Sequence, residues 1–279
     1  MKKKMLFGSA VLSMGLLLAG CGDEEASTSK NSSSEEQTEA TQNEAKVKVM
    51  DKKFYLWTDE SIGDMEQLSI YTMIKNTGKT TVDISNFRIT SLDKDGSVIQ
   101  TDTSSSTLGR SFAPSVLKPG QVSYIGLQVD PNIPNPDIKD IQVDVNPTVV
   151  DMSLVDITEL KVKNGKANVD LDNWGGTADV TGLLQNHSKK DALNVEAGAG
   201  VFDKDNNFLG ALFLSSDETI TLGPKQSTGL QLGFPGIPSS EVKKIDHVDF
   251  SVSNVEYDVH RSINLQARGI NRDWHRCYN

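Results

Sequence analysis

The chain has 279 residues, and its 38 acidic residues outnumber 28 basic ones to give a formal net charge of −10. An acidic surface repels a phosphate backbone, so the composition argues against nucleic-acid binding. Cysteine occurs only twice, at Cys21 and Cys277, so we expect a fold that stands without disulfides.

The N-terminal segment 1–20 has the layout of an export signal. Lys2–Lys4 precede the apolar run Met5–Leu18, which is shorter than the roughly 20 residues that a transmembrane helix needs. The run ends in Leu18-Ala19-Gly20-Cys21, which resembles the lipobox of bacterial lipoproteins. The resemblance implies cleavage before Cys21 and attachment of diacylglycerol, with acyl chains such as palmitate, to its thiol. We therefore expect the chain to be lipid-anchored on the extracytoplasmic face of the cell membrane.

Residues 21–45 are predicted to be the lipidated cysteine followed by a disordered tether. From Ala26 to Ala45 the residues are Ser, Thr, Glu, Gln, Asn, Lys and Ala, which bury too little apolar surface to fold. A flexible chain of about 20 residues has a root-mean-square reach of about 25 Å. That reach is enough to hold a folded body away from the lipid headgroups.

The rest of the chain contains an internal repeat. Two stretches recur at one constant spacing and two later ones at a slightly smaller spacing, which indicates a shorter loop in the second copy. The pairs are Leu68–Asn76 with Ala178–Asn186, Asp93–Gly96 with Asp203–Asn206, Leu117–Gly120 with Leu222–Lys225, and Ile141–Val145 with Ile245–Val248.

The pattern inside each copy predicts an all-β fold. Apolar and polar residues alternate in short runs separated by turn signals, which is typical of strands with one buried face. Several such runs at regular spacing favour a β-sandwich. We therefore predict two tandem sandwiches, at 46–147 and 148–261, which abut without a flexible linker.

The turns of the first copy suggest a family. The spacer and the turns at Asn76-Thr77-Gly78, Asp93–Gly96 and Leu117–Gly120 resemble the telokin-like, immunoglobulin-like domains of secreted lipoproteins of Gram-positive bacteria. The resemblance covers roughly residues 46 to 258 and implies tandem immunoglobulin-like sandwiches outside a single membrane. Because most members have no assigned activity, it implies no reaction. The second copy departs from these motifs at Gly182, Asn206 and Lys225.

Four aspartates in the predicted hairpin turns are weak candidates for metal ligands. Calcium takes about six to eight oxygen ligands, and these turns supply too few and lack the downstream glutamate of an EF-hand. Aspartate also favours turns because its side chain caps them. We therefore expect no metal and no cofactor. The four residues are Asp93, Asp95, Asp203 and Asp205.

Two tryptophans are weak candidates for ligand binding. Trp57 and Trp174 each precede the first well-aligned strand of a repeat, where an exposed indole would stack on a sugar or hold a partner. The alternative, which we favour, is that each indole seals a sandwich.

No catalytic constellation is recognisable. The sequence has no G-x-S-x-G elbow or phosphate-binding glycine loop, and its histidines lack paired metal-ligand spacing. The predicted function is therefore non-catalytic: a membrane-anchored module that binds an unidentified envelope protein. The alternative is a lipoprotein that binds a small ligand or glycan at the seam between the repeats or at the tryptophans. The histidines are His187, His247, His260 and His275.

The C-terminal segment 262–279 differs from the rest of the chain in its basic residues. Most of the arginines of the chain fall at its end, at Arg261, Arg268, Arg272 and Arg276, whereas lysine is used upstream. The segment is interpreted either as a basic arm that docks on the acidic body or on anionic lipid, or as an extension without function. We favour the second interpretation and expect the segment to be disordered.

Overall fold

The computed structural model describes residues 44–59, 64–104, 110–129, 137–170, 177–215, 218–233 and 236–257. The predicted signal, Cys21, almost all of the tether and the basic C-terminal segment lie outside these ranges. Within them nearly every element is a β-strand, so the all-β prediction is confirmed. No helix in these ranges is long and apolar enough to cross a bilayer.

The first half of the body contains two main antiparallel sheets. Its strands are β1 (Val47–Asp59), β2 (Met65–Asn76), β3 (Val82–Asp83), β4 (Phe87–Leu92), β5 (Val98–Thr103), β6 (Arg110–Ala113), β7 (Val116–Leu117), β8 (Val122–Val129) and β9 (Asp140–Val145). One sheet has the order β1-β2-β8-β6, and the other has the order β5-β4-β9.

The second half repeats this arrangement. Its elements are β10 (Thr148–Val149), β11 (Val155–Ile157), β12 (Leu160–Asp170), β13 (Thr177–Asn186), β14 (Glu196–Phe202), β15 (Phe208–Phe213), β16 (Ser227–Leu232), α1 (Ser239–Val242), β17 (His247–Ser253) and β18 (Val255–Tyr257). The main sheets have the orders β12-β13-β16 and β15-β14-β17. They match β1-β2-β8 and β5-β4-β9 strand for strand.

One predicted equivalence between the copies is wrong. The sequence comparison aligned Ile141 with Ile245, but Ile141 pairs with Ser91 on β4, and it is Val248 that pairs with Val201 on β14. Ser91 and Val201 are equivalent because each lies the same distance before its aspartate turn, so Ile141 corresponds to Val248. The short helix α1 and the turn after it precede β17, and a comparison of apolar residues alone does not reveal this shift.

The four main sheets stack as four layers with two apolar cores. The first core lies between the two sheets of the first half and includes Leu68, Ile70 and Phe87. The second core fills the second half and also takes in residues of the first half, including Tyr71 and Tyr124. The sheet β1-β2-β8-β6 therefore packs one face on each core.

This stacking buries both faces of several strands, which differs from the prediction of one buried face. Leu68 and Ile70 of β2 point to the first core, whereas Tyr71 belongs to the second. Every residue of β15 is buried, as are Ala197 to Phe202 of β14. The polar or small positions of the alternating pattern thus contact the other half of the body instead of solvent.

The connection between the halves is itself held by hydrogen bonds. β10 follows the predicted boundary at residue 147 directly and pairs with β3, and the Val150 amide donates to the Thr81 carbonyl. Farther on, β11 pairs with β18, and the Thr158 hydroxyl donates to Oδ1 of the buried Asn254 over 2.8 Å. The described part of this connection is therefore fixed against both halves.

Candidate functional site

The aspartates predicted as weak metal candidates lie in two equivalent hairpin turns. The Asp93 carboxylate accepts the backbone amides of Asp95 and Ser97, each over 2.8 Å. Asp203 accepts the amides of Asp205 and Asn207 over 2.9 Å in the same way. A further hydrogen bond from the Asn207 side chain is the main cause that lowers the pKa of Asp203. In both turns the first carboxylate caps the backbone. The second aspartate of each turn, Asp95 and Asp205 respectively, is exposed.

The described residues contain no group of three or more His, Cys, Asp and Glu side chains that could hold a metal ion. Two departures of the second copy from the turn motifs, at Asn206 and Lys225, preserve the backbone conformation of the first copy. Asn206 has φ of 61° where Gly96 has 78°, and Lys225 has 62° where Gly120 has 81°. Asparagine tolerates this left-handed conformation, whereas lysine adopts it at an energetic cost.

Trp57 lies at the seam between the two halves. Its indole Nε1 donates to the Ser69 hydroxyl over 3.0 Å. Gly236, in the connection between β16 and α1, is so close that a Cβ on it would lie 2.7 Å from Trp57 Cζ2. The half-buried indole therefore packs on the second half. Trp174 lies outside the described residues, so its predicted role stays a prediction.

Gly236 is held by several side chains of the first half. Its carbonyl accepts hydrogen bonds from the Ser69 and Tyr71 hydroxyls, each over 2.9 Å. Its amide donates to Gln128 Oε1 over 3.0 Å, and Gln128 Nε2 donates to Gln67 Oε1 over 3.2 Å. This network was not predicted, because residues 67, 69 and 71 occupy the polar positions of the β2 pattern.

A second set of contacts joins the halves near the beginning of β8, whereas Gln128 lies near its end. The Glu196 carboxylate accepts the Ser115 amide over 2.7 Å and the Ser115 hydroxyl over 2.8 and 2.9 Å. Gln121 Nε2 donates to the Val252 carbonyl over 3.0 Å, and the Ser251 hydroxyl donates to the carbonyl of Val122. Polar groups from both halves thus bond to each other at the seam.

Alkaline pH is expected to weaken the seam. Burial raises the pKa of Tyr71 and of Tyr124 well above their ordinary value of 10. The folded protein holds the neutral phenols, so their contribution to stability is complete below the unfolded pKa of about 10 and is lost as the pH rises above it. The loss is up to about 1.4 kcal/mol per pH unit for each tyrosine.

Urea unfolding at pH 9 and pH 10.5 measures this loss. The Tyr71→Phe variant is the control, because it removes one titrating group and keeps the ring. Its free energy of unfolding should fall less between the two pH values than that of the unchanged protein. Equal falls for both proteins would show that Tyr71 ionises as readily in the folded state as in the unfolded state.

The histidines within the described residues do not form a shared site. His247 Nδ1 lies 3.2 Å from a carboxylate oxygen of Asp246, and its ring stacks on Phe202 with centroids 5.3 Å apart. The His187 amide donates to the Glu159 carbonyl, and its Nε2 is buried without a hydrogen-bond partner. His260 and His275 lie outside the described residues.

An open groove of about 410 Å³ runs along the seam, and a smaller cavity of about 300 Å³ adjoins it. The two share Gln121, Leu160 and Val252. Tyr124 and Phe250 contribute aromatic surface to the larger one. Lys118 and Glu159 line the smaller cavity, and two further lysines and one aspartate line the groove. Those three residues are Lys161, Lys163 and Asp249.

One edge of the sheet β12-β13-β16 is uncovered in the described structure. Among the described residues, β16 pairs with β13 along one edge, and only the bridge between Phe213 and Gly233, just beyond the strand, meets its other edge. The backbone N–H of Asn186 donates to the Gln226 carbonyl, which shows which residues of β16 are hydrogen-bonded to β13. Because partners alternate along an antiparallel pair, Gly229 and Gln231 direct their N–H and C=O groups away from β13.

The corresponding edge of the first half is covered. Tyr124 and Gly126 of β8 are the equivalents of Gly229 and Gln231, at the same spacing that relates Leu117 to Leu222. They pair with Ala113 and Ser111 of β6. Among the described residues of the second half no strand takes the place of β6.

The comparisons with known proteins leave the family open. No protein-family model and no curated protein matches the chain. It is similar to two crystal structures of a GH2 beta-galacturonidase from Eisenbergiella tayi, bound to galacturonate and to glycerol. The identities are 12% and 13%, both TM-scores are 0.19, and the alignments cover 68% and 69% of this chain but 37% and 38% of those chains. A TM-score of 0.19 carries no argument about fold or activity.

Proposed function

We propose that the chain is a lipoprotein, held on the extracytoplasmic face of the cell membrane through Cys21, whose β body acts as a non-catalytic protein-interaction module. The observation that supports this best is the seam. Its polar side chains, among them Glu196 and Tyr71, bond across the two halves and fix them against each other. A body fixed in this way presents its edges and loops in one arrangement, which lowers the entropic cost of binding a partner.

Anchoring is tested by replacing the predicted lipid acceptor. The Cys21→Ala variant lacks the thiol that would carry the lipid, and we expect it to leave the membrane fraction and appear in the medium when expressed in a Gram-positive cell. Cys277→Ala is the matched control and should stay with the membrane. Retention of both variants in the membrane fraction would contradict the lipid anchor.

Partner binding is tested in the same cells by chemical cross-linking outside the membrane. The full chain should form a covalent adduct with an envelope protein, and the Cys21→Ala variant should form less of it because the chain no longer stays at the surface. A full chain that forms no adduct at all would contradict the proposed interaction module.

The groove at the seam supports a second candidate function, the binding of a small ligand or glycan. Tyr124 and Phe250 give the groove aromatic surface on which a sugar ring can stack. Its charged lining is mixed, because Lys161 is ion-paired with Glu159 over 3.0 Å and Lys163 shares the groove with Asp249. Thermal unfolding with wall sugars and sugar phosphates tests this function. A saturable rise in the melting temperature that Lys163→Glu abolishes would favour it over partner binding.

A further inference from the structure

We infer that the free edge of β16 is a docking site for an extended segment of another protein chain, which adds to the sheet as an antiparallel strand. This inference rests on the proposed interaction function and names the surface that performs it. The chain itself shows what such a segment is like, because β6 occupies the equivalent edge of β8.

The first step of the argument is the shortened loop. The end of β5 at Thr103 corresponds to the end of β15 at Phe213. Leu117 of β7 corresponds to Leu222, as their equivalent pairings with Val82 and Ala192 show. The connection from residue 213 to residue 222 is thus shorter than the one from 103 to 117. In the first half this connection contains β6, so the shortening accounts for the absence of a covering strand from the described part of the second.

The second step is the character of the edge. Exposed edge strands invite pairing with other chains, and proteins protect them with charged residues, especially lysine, and with bulges. The edge strand β12 at the other side of the same sheet has both features, with Lys161, Lys163 and Lys166 and a shift of register between the last two. Ser227–Leu232 carries no charge and no proline. This edge therefore lacks the usual protection.

The third step is the chemistry of the occupant. On the β8 edge, Ser111 and Ala113 pair with Gly126 and Tyr124, while Phe112 packs into the first core against Phe87. The two residues opposite the outward-facing positions of β8 are small and uncharged, and an apolar residue lies between them. The β16 edge offers the same outward N–H and C=O groups at Gly229 and Gln231. We therefore expect an extended partner segment with small, uncharged residues at the pairing positions and an apolar residue between them.

A peptide taken from the chain is the first probe. It is the segment Gly-Arg-Ser-Phe-Ala, residues 109–113, with blocked ends, and a scrambled peptide is its control. Amide NMR of the full chain should show saturable shifts at Gly229 and Gln231 and slower hydrogen exchange there. No saturable shift at these amides, or an equal response to the scrambled peptide, would overturn the inference.

Two variants at one position sharpen the test. Gly229→Pro removes an N–H that the β13 pairing does not use, and it should weaken peptide binding by about tenfold, as expected for one lost hydrogen bond. Gly229→Ala keeps the N–H, and its added Cβ meets no atom within 4 Å, so binding should stay unchanged. Unfolding temperatures of both variants verify that the sheet is intact. Equal binding by the two variants would overturn the inference.

A photo-cross-linker placed at Gln231 in cells separates failure of this inference from failure of the proposed function. An adduct with another envelope protein at Gln231, which Gly229→Pro reduces and Gly229→Ala does not, supports the edge as the docking site. A partner that cross-links to the chain elsewhere but not at Gln231 leaves the function standing and overturns the edge. An adduct with a second copy of the chain would show that the edge binds this chain itself, and it would overturn the inference that the partner is another protein.

Discussion

Replacing Gly200 by alanine is expected to destabilise the protein by about 1–3 kcal/mol, the usual cost of overpacking a filled core. Gly200 of β14 lies against Tyr124 of β8, so a Cβ there would stand 2.5 Å from Tyr124 Cε1 and 2.8 Å from Cζ. The Tyr124 side chain has little room to move, because it is 1% exposed and its ring stacks on Phe208. The free energy of urea unfolding measures the loss.

Two controls show whether the effect comes from this contact. Gly229→Ala adds the same methyl group where no atom lies within 4 Å, and its stability should change by less than about 0.5 kcal/mol. Adding Tyr124→Leu to Gly200→Ala removes the clashing ring atoms. The double variant should therefore lose less free energy of unfolding than the two single variants lose together. A Gly200→Ala protein as stable as the unchanged one would show that β8 and β14 do not pack so closely in solution.

The local features of the fold were readable from the sequence because short stretches of chain determine them. Asp93 and Asp203 cap their own turns through amides two and four residues ahead. The same turn therefore occurs in both copies because the same type of side chain accepts the same two backbone amides in each. Turn chemistry of this kind leaves a signal within a few residues.

The close contact of the two repeats was predicted, but the residues of the seam were not, because they resemble those of a solvated strand face. Ser69 and Tyr71 occupy the polar positions of β2, and only the presence of the second half turns those positions into a buried surface. Trp57 is a similar case, since its neighbour Gly236 is distant in sequence. The shortened loop was visible as a change of spacing, but its consequence for the β16 edge depends on strand pairing.

The seam and the β16 edge contribute to the proposed function in different ways. The seam explains why the two halves act as one body, and the β16 edge supplies a surface whose backbone groups a partner can use. The edge strand β12 has lysines and a bulge, so the same sheet has one protected and one unprotected edge. That asymmetry favours attachment at a defined side of the body over general association through sheet edges.

Replacing Asn186 by alanine is expected to cost about 2–4 kcal/mol, because it removes several hydrogen bonds of a buried side chain, each worth about 0.5–1.5 kcal/mol. The Asn186 side chain is 2% exposed. Its Nδ2 donates to the carbonyls of Lys190, Leu222 and Gly223 over 2.8 to 3.1 Å, and its Oδ1 accepts the Ser188 amide and hydroxyl. One side chain thus joins the end of β13 to the turn before β16. Urea unfolding measures the cost.

The same prediction applies to the first half, where Asn76 is completely buried. Its Nδ2 donates to the carbonyls of Thr80 and Leu117 over 2.8 and 2.9 Å, and its Oδ1 accepts the Gly78 amide over 2.9 Å. Asn76→Ala should therefore cost a similar amount. A loss below about 0.5 kcal/mol for both variants, the range of ordinary surface substitutions, would contradict the bonding described.

An isosteric change distinguishes hydrogen bonding from shape. Asn186→Asp keeps the size of the side chain but replaces the donating amide by a carboxylate that faces three carbonyl oxygens. Burial and these oxygens raise the pKa of the new carboxyl above its unfolded value of about 4, so its charge costs stability as the pH rises. The difference in stability from the unchanged protein should therefore grow from pH 4 to pH 7. For Asn186→Ala, which does not titrate, the difference should stay constant, and equal pH dependence of both variants would mean that the donor role of Asn186 is unimportant.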